Sequence, residues 1–234
     1  MDLVYICRDG ENEELRYSIR SAVKNLKHDN IWVVGGKPDW YTGNFIEVRQ
    51  SADKYYNARQ NMKAIVKSPD ISDNFILMND DFFILKRINR LQVYYGGVLM
   101  ERIRYLKRTY GSSSYTNMLY YTLTYLKRFH GIQRPLNYAL HVPFPMNKQN
   151  LAQIIDIDIS WRVAYGNIFH VGGTEVISKD GKNKDIKVYI KDGNFIDIEK
   201  NSISDKFLST EDNSFETVLP FLKKKFPDPS QYEL

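Results

Sequence analysis

This chain is short of cysteine and of long apolar runs, and each shortage closes off a class of protein. A single cysteine, Cys7, among 234 residues excludes an intrachain disulfide framework and any Cys-rich zinc site. No apolar run approaches the roughly 20 residues that a helix needs to span a bilayer. The opening residues pass from Asp2 straight into an apolar segment, unlike the charged and apolar regions of a secretory signal. A cytoplasmic protein is the expectation. No internal repeat or long low-complexity linker interrupts residues 1–234, which read as one domain. Acidic residues are the minority, 28 against 33 Lys and Arg, for a net charge of +5 and a pI near 9.0. Such a surplus suits a polyanionic partner, and a solvated basic surface explains it equally well. Hydrophobic residues at 43%, with aromatics at 14%, are enough for a sizeable core.

The first 90 residues alternate. Leu3-Val4-Tyr5-Ile6-Cys7 reads as a strand ended by the turn signal Arg8-Asp9-Gly10. Leu15, Ile19, Ala22, Val23 and Leu26 recur at helical spacing over 13–26. Ile31-Trp32-Val33-Val34 is a second strand closed by Gly35-Gly36, and Phe45-Ile46-Glu47-Val48 a short third. A helix is predicted over 55–66, and then the strand at 74–79. This order is that of an α/β fold with a mostly parallel sheet flanked by helices. Ligands of such sheets collect at the carboxyl ends of the strands, where Arg8-Asp9, Gly35-Gly36 and Asp80-Asp81 all fall.

The second half differs. Residues 91–135 read as a basic, tyrosine-rich helical insertion, with helical periodicity from Tyr115 to Phe129. An extended segment at 137–145, helices near 147–155 and 159–165, and a final helix over 214–225 follow. Lys187–Ile190 and Phe195–Ile198 flank Asp192-Gly193-Asn194, a hairpin signal. Asp212 stands just before the last helix, as a cap would. Residues 1–90 are thus read as a ligand-binding half and 136–234 as a second half.

The stretch Asn74-Phe75-Ile76-Leu77-Met78-Asn79-Asp80-Asp81-Phe82-Phe83 carries the chemistry. An apolar strand ends in two adjacent carboxylates, and apolar residues resume at once. Neighbouring aspartates at the edge of a core are costly unless something neutralises them. A hard divalent cation does so with oxygen ligands. A turn or helix cap is the plainer alternative.

Four stretches together bring a family into view. Asp2-Leu3-Val4-Tyr5 with Asp9-Gly10, Glu14-Leu15-Arg16-Tyr17-Ser18-Ile19-Arg20-Ser21, Ile31-Trp32-Val33-Val34-Gly35-Gly36 with Pro38-Asp39-Trp40, and Leu77-Met78-Asn79-Asp80-Asp81 stand in order over residues 2–88. In this the chain resembles the Stealth-type sugar transferases and related phage-encoded proteins of the GT-A (Rossmann-type) nucleotide-sugar fold. His141-Val142-Pro143 is similar to a later His-x-Pro element of that family.

The resemblance implies a metal-dependent glycosyltransferase using a nucleoside-diphosphate sugar, with uridine diphosphate the expected carrier. Asp80 and Asp81 would hold Mn²⁺ or Mg²⁺, with His141 completing the metal site and His170 its competitor. Asp9, Arg16, Arg20, Asn79 and Arg59 would contact the donor. Arg16 and Arg20 share a helix face, which suits a diphosphate or, more plainly, a solvated surface. Beside Asp81, the catalytic candidates are Asp158, one of three possible bases with Asp156 and Glu175, and Arg162 on the acceptor side.

Two acceptors compete: an envelope or capsular glycan, receiving a sugar or, as in Stealth-type proteins, a sugar phosphate, and phage DNA carrying a hydroxylated base. The Tyr/Arg/Lys-rich segment 94–129 fits phosphate contacts and base stacking, or a packing layer with snorkelling cations. A non-catalytic nucleic-acid-binding module and a metal-dependent nuclease are the further readings. Apart from Glu101, the stretch after Asp81 has no acidic cluster of the kind a nuclease would use.

Overall fold

The computed structural model describes residues 1–176, 187–188, 206–211 and 214–234. Most of the expected hairpin at 187–198, and Asp212, lie outside the described residues. The strands in chain order are β1 (Asp2–Cys7), β2 (Ile31–Gly35), β3 (Asn44–Glu47), β4 (Asn74–Asn79), β5 (Phe82–Ile84), β6 (Tyr94–Tyr95), β7 (Phe144–Asn147), β8 (Thr174–Glu175), β9 (Lys187–Val188) and β10 (Phe207–Thr210). The helices are α1 (Glu13–Asn25), α2 (Lys54–Lys67), α3 (Leu99–Tyr110), α4 (Ser114–His130), α5 (Lys148–Ala152), α6 (Trp161–Ile168) and α7 (Phe215–Lys225).

The chain divides into two compact units. The first comprises Met1–Leu91, His141–Lys148 and Ile186–Leu234. Its central sheet has the order β3-β2-β1-β4-β7. β1 pairs in parallel with β2 and β4, and β2 with β3, while β7 closes the edge antiparallel to β4. The α/β class and the mostly parallel sheet thus match the alternation of the sequence. Strands covered on both faces should be apolar throughout, and β1 is: Leu3, Val4, Tyr5 and Cys7 are buried. Buried Asp2 is the exception. It accepts from the amides and side chains of Asn30 and Ser72, tying the amino ends of β1 and β2 to the approach to β4.

The register aligns the strand ends. Ile6 lies opposite Asn79, Cys7 opposite Gly35, and Gly35 opposite Glu47. The chain moves outward from β1 to β2 on one side and then to β4 on the other, so the strand order reverses at β1 and β4. That reversal opens a crevice at the carboxyl ends. Gly35 is obligatory there. Its φ is 122°, and a Cβ would stand 2.1 Å from the Cys7 carbonyl oxygen and 2.6 Å from Asn61 Nδ2.

Helix α1 buries Leu15, Ile19 and Ala22 as the spacing predicts, but Val23, expected inside, is exposed. A second apolar layer forms on Tyr17, where Phe83, Leu208, Phe215, Val218 and Leu222 pack. β5 pairs there with β10 in a small sheet separate from the main one. The remaining face of α1 holds the C-terminal tail. Arg20 donates to the Glu233 carboxylate at 2.6 Å, and Glu233 has only 1% of its side chain exposed. Arg16 reaches Glu233 at 3.3 Å and lies over the Trp40 ring at 4.5 Å. Backbone bonds from Thr42 to Tyr232 and from Leu234 to Trp40 complete the clasp.

The second unit comprises Gln92–Leu140 and Gln149–Asp185. α3 and α4, joined by Gly111-Ser112-Ser113, form a helical hairpin whose core is Leu99, Ile103, Leu106, Leu119, Leu123 and Leu126 with Val163 of α6. Ser113 caps α4 through a reciprocal bond pair with Thr116. The insertion expected at 91–135 is therefore part of a larger unit that includes α6 and the β6–β8 pair. The helix expected at 147–155 is the shorter α5. Among the described residues, no helix is long and apolar enough to cross a membrane.

The tail clasp is testable. Burial alone would raise the Glu233 carboxyl, but Arg20 and the amide and hydroxyl of Ser230 hold it below the usual carboxylate range. A depressed carboxyl stabilises the fold above its unfolded value of 4.5 and loses that contribution as the pH falls below it. Glu233→Ala should cost about 3 kcal/mol in urea unfolding near neutral pH, with the difference from wild type shrinking on acidification.

Candidate active site

The crevice at the ends of β1 and β4 is a cleft of about 530 Å³ within the first unit. Its floor is Ile6, Cys7 and Arg8 from β1 and Asn79, Asp80 and Asp81 from β4. Walls come from Glu14 of α1, from Gln50, Lys54, Asn57 and Asn61 around α2, and from Thr210 and Glu211 at the end of β10. Asp80 and Asp81 form the turn between β4 of the main sheet and β5 of the small one. This is why apolar residues resume at Phe82: the chain leaves one buried sheet and enters another.

Both carboxylates are held by side chains distant in sequence. Asn12 Nδ2 donates to Asp80 Oδ2 at 2.7 Å. Asn12 is the N-cap of α1, with a left-handed φ of 41°, and its Oδ1 accepts from the Leu15 amide. One residue thus starts the helix and orients the aspartate. Asp81 Oδ2 accepts from Ser209 Oγ at 2.9 Å and lies 3.3 Å from His141 Nδ1. His141 is fixed in turn by an edge-on contact with the Phe82 ring. Burial, and then the adjacent Asp81 carboxylate, push the Asp80 carboxyl up to about 6, against the opposing pull of Asn12 and Arg8.

The walls are polar and interlocked. Thr210 Oγ1 donates to buried Glu14 at 2.8 Å. Asn61 donates to the Cys7 carbonyl, and Gln50 Nε2 donates to Asn61 Oδ1 and the Val48 carbonyl. Both neighbours of that nitrogen are oxygens, which fixes the orientation of the amide. Gln50 Oε1 is then a buried acceptor with no hydrogen-bond partner. Burial, and then Asp80, push the Cys7 thiol up to about 12, so the lone cysteine is a protonated thiol and no nucleophile.

The structure brings Asn79, Asp80 and Asp81 together in the cleft and sets His141 beside Asp81. The other residues singled out in the sequence lie elsewhere. Arg16 and Arg20, expected on a diphosphate, are engaged by Glu233, because the tail covers their shared face. Asp9 is exposed and sits against Gly36, where a Cβ would come within 2.4 Å of its Oδ1. Arg59 is half-buried on α2, whose Asn57 and Asn61 supply the cleft wall. Asp158 and Arg162 belong to the second unit; Asp158 is exposed, and Arg162 donates to the Leu140 carbonyl at 3.2 Å. His170 is exposed in that unit as well. Sequence reasoning missed Asn12, Glu14, Gln50, Lys54, Asn61 and Ser209. Only Asn12 carried a signal, as an Asn three residues before the first inward Leu of a helix.

The donor set suits a divalent cation of the kind that is shared with a ligand. Two adjacent carboxylates strain each other, and positive charge between them would relieve both. Among the described residues no group of three or more His, Cys, Asp and Glu is arranged as a protein-only metal cage. Magnesium-type sites commonly use one or two carboxylates and take their remaining oxygens from phosphates and water.

A raised carboxyl contributes stability that is complete below its unfolded value of 3.8 and lost as the pH rises through about 6. Asp80→Asn keeps the acceptor for Asn12 and removes the charge. Without metal, this variant should melt higher than wild type at about pH 8, and the gain should vanish near pH 3.8. A variant that melts lower at every pH would show that the Asp80 carboxylate is itself stabilising.

Comparisons with known proteins add the following. No family model matches the chain, and the comparison with curated proteins finds no match to it. Solved structures with similar folds include an active-site mutant of LgtC, 8% identical, covering 99% of this chain and 98% of that one at a TM-score of 0.46. The bifunctional glycosyltransferase WbbM is 13% identical over 96% of this chain and 44% of its own, at 0.44. Mouse xyloside xylosyltransferase 1 is 8% identical over 91% and 99%, at 0.39.

Proposed function

We propose that this chain is a glycosyltransferase that takes a nucleoside-diphosphate sugar, with uridine diphosphate as the first carrier to test, and uses Mn²⁺ or Mg²⁺. One observation carries the reading: an aspartate pair at the carboxyl end of β4, in the cleft at the sheet's reversal point, with the Asp80 carboxyl pushed up to about 6. Asp80 and Asp81 hold the cation, which when bound neutralises charge on the departing diphosphate.

The other side chains follow from their placement. Asn12 orients Asp80, while Ser209 and His141 orient Asp81. Arg8 and Lys54, the cations that line the cleft, take the phosphate role that the sequence suggested for Arg16 and Arg20. Gln50 Oε1 offers an acceptor to an N–H or O–H of the nucleoside. Burying it against a ligand that lacks such a donor would leave it unsatisfied. The chemistry of the acceptor hydroxyl requires a base.

A ligand that binds only the folded chain raises its melting temperature by mass action. A panel of nucleoside diphosphates and their sugars, with and without Mn²⁺, should give a metal-dependent shift for one base. Asp81→Ala should abolish that shift and leave far-UV circular dichroism intact. Absence of any shift across the panel, or a shift indifferent to Mn²⁺ and to Asp81→Ala, would remove the reading.

A further inference from the structure

The second unit buries its leucines efficiently and leaves some of its largest aromatic side chains in solvent. Tyr110, Tyr120, Tyr121 and Phe129 are 58%, 48%, 66% and 66% exposed, although all four lie on or at the ends of well-packed helices. Their hairpin is also one-sided in charge. Residues 99–130 hold six Lys and Arg residues against one acid, Glu101. Five of the six, Arg104, Lys107, Arg108, Lys127 and Arg128, are exposed.

The two kinds of residue are interleaved. On α4 the core positions are Leu119, Leu123 and Leu126. At 3.6 residues per turn, Tyr120, Tyr121, Thr124, Lys127 and Arg128 then run down the outward side. Arg104, Lys107 and Arg108 do the same on α3, opposite Leu99, Ile103 and Leu106. The stripes meet where Lys107 Nζ lies 5.1 Å from the centroid of Tyr120. At the far end of α4, Arg128 stands over Phe129 at 5.5 Å, and Tyr125 packs on the same ring at 5.2 Å. Such cation–aromatic pairs do not need water on every side, so they suit a boundary between a polar and an apolar phase.

We infer that the outer face of the α3–α4 hairpin docks on an anionic lipid surface. Charge complementarity selects a polyanion, and the aromatics choose among polyanions. Rings that protrude from a two-helix face can enter the headgroup layer edge first, as amphipathic tyrosine and phenylalanine do at bilayer interfaces. Stacking on splayed nucleic-acid bases instead calls for a groove that tracks a strand. The inference is independent of the cleft in the first unit, and its test does not involve nucleotide, metal or turnover.

The experiment is flotation of the full chain with phosphatidylcholine vesicles, with and without about a third phosphatidylglycerol. Binding should require the anionic lipid and fall as salt screens it. Each cation near such a surface contributes about fivefold in partitioning, so Lys127→Glu with Arg128→Glu should lower binding by at least about twentyfold. Tyr121→Ser with Phe129→Ser should also weaken it while the salt dependence persists. All four positions are exposed, and matching melting temperatures show that the variants fold. The inference fails if wild-type chain stays with the unbound fraction, or if either double variant that folds still floats as wild type does. It fails equally if single- or double-stranded DNA displaces the vesicles and binds more tightly than they do, which would make the face a nucleic-acid surface.

Discussion

Two like charges held side by side at the end of a buried strand are the constraint around which the first unit is built. Asp80 and Asp81 cannot separate, because the turn they form connects strands of two different sheets. They cannot retreat into bulk water either, because the cleft walls rise on α1, on α2 and at the end of β10. Their surroundings answer with donors of hydrogen bonds: Asn12 on one carboxylate, Ser209 and His141 on the other. Hydrogen bonds orient a carboxylate without cancelling its charge, so the Asp80 carboxyl remains elevated, at about 6. A site left in that condition holds unrelieved like charge, which positive charge between the carboxylates would relieve.

Helix α1 shows how one element serves three neighbours. Its inward face carries the main core, its Tyr17 face the layer of β5, β10 and α7, and its Arg16–Arg20 face the tail. Its first turn does more. Asn12 caps it and holds Asp80, and Glu14 accepts from Thr210. The helix is thus clamped at its N-terminal end by residues far away in the chain, which places the cleft's polar groups on a rigid support. A charge pair with Glu233 only 1% exposed gains from low dielectric and loses in desolvation, and the Ser230 amide and hydroxyl, with Arg20, offset the loss.

The second unit follows a different logic. Its interior is aliphatic and its exterior cationic and aromatic. The tyrosines that make this part of the sequence conspicuous are divided between the roles of packing and surface. Tyr138 and Tyr165 are buried, while Tyr120 and Tyr121 are not. Composition counted them together; the fold separated them.

Sequence alone determined the α/β class, the strands that carry Cys7, Val34 and Asn79, and the limits of α1, α2, α4 and α7 to within a residue or two. Those features rest on local periodicity and on turn residues at strand ends, which act over short stretches of chain. It also singled out the aspartate pair, because adjacent charges in an apolar run are anomalous wherever they occur. Only the tertiary structure decided which side chains join them. Arg16 and Arg20 share a face with the spacing of a diphosphate clamp, yet their partner is Glu233, 213 residues beyond Arg20. Ser209, Gln50 and Asn61 looked like ordinary polar residues, and Asn12 like a helix cap alone, until the parallel register aligned the ends of β1 and β4. A helix face or a lone amide does not declare its partner locally, because the partner is chosen by how the sheet is wound.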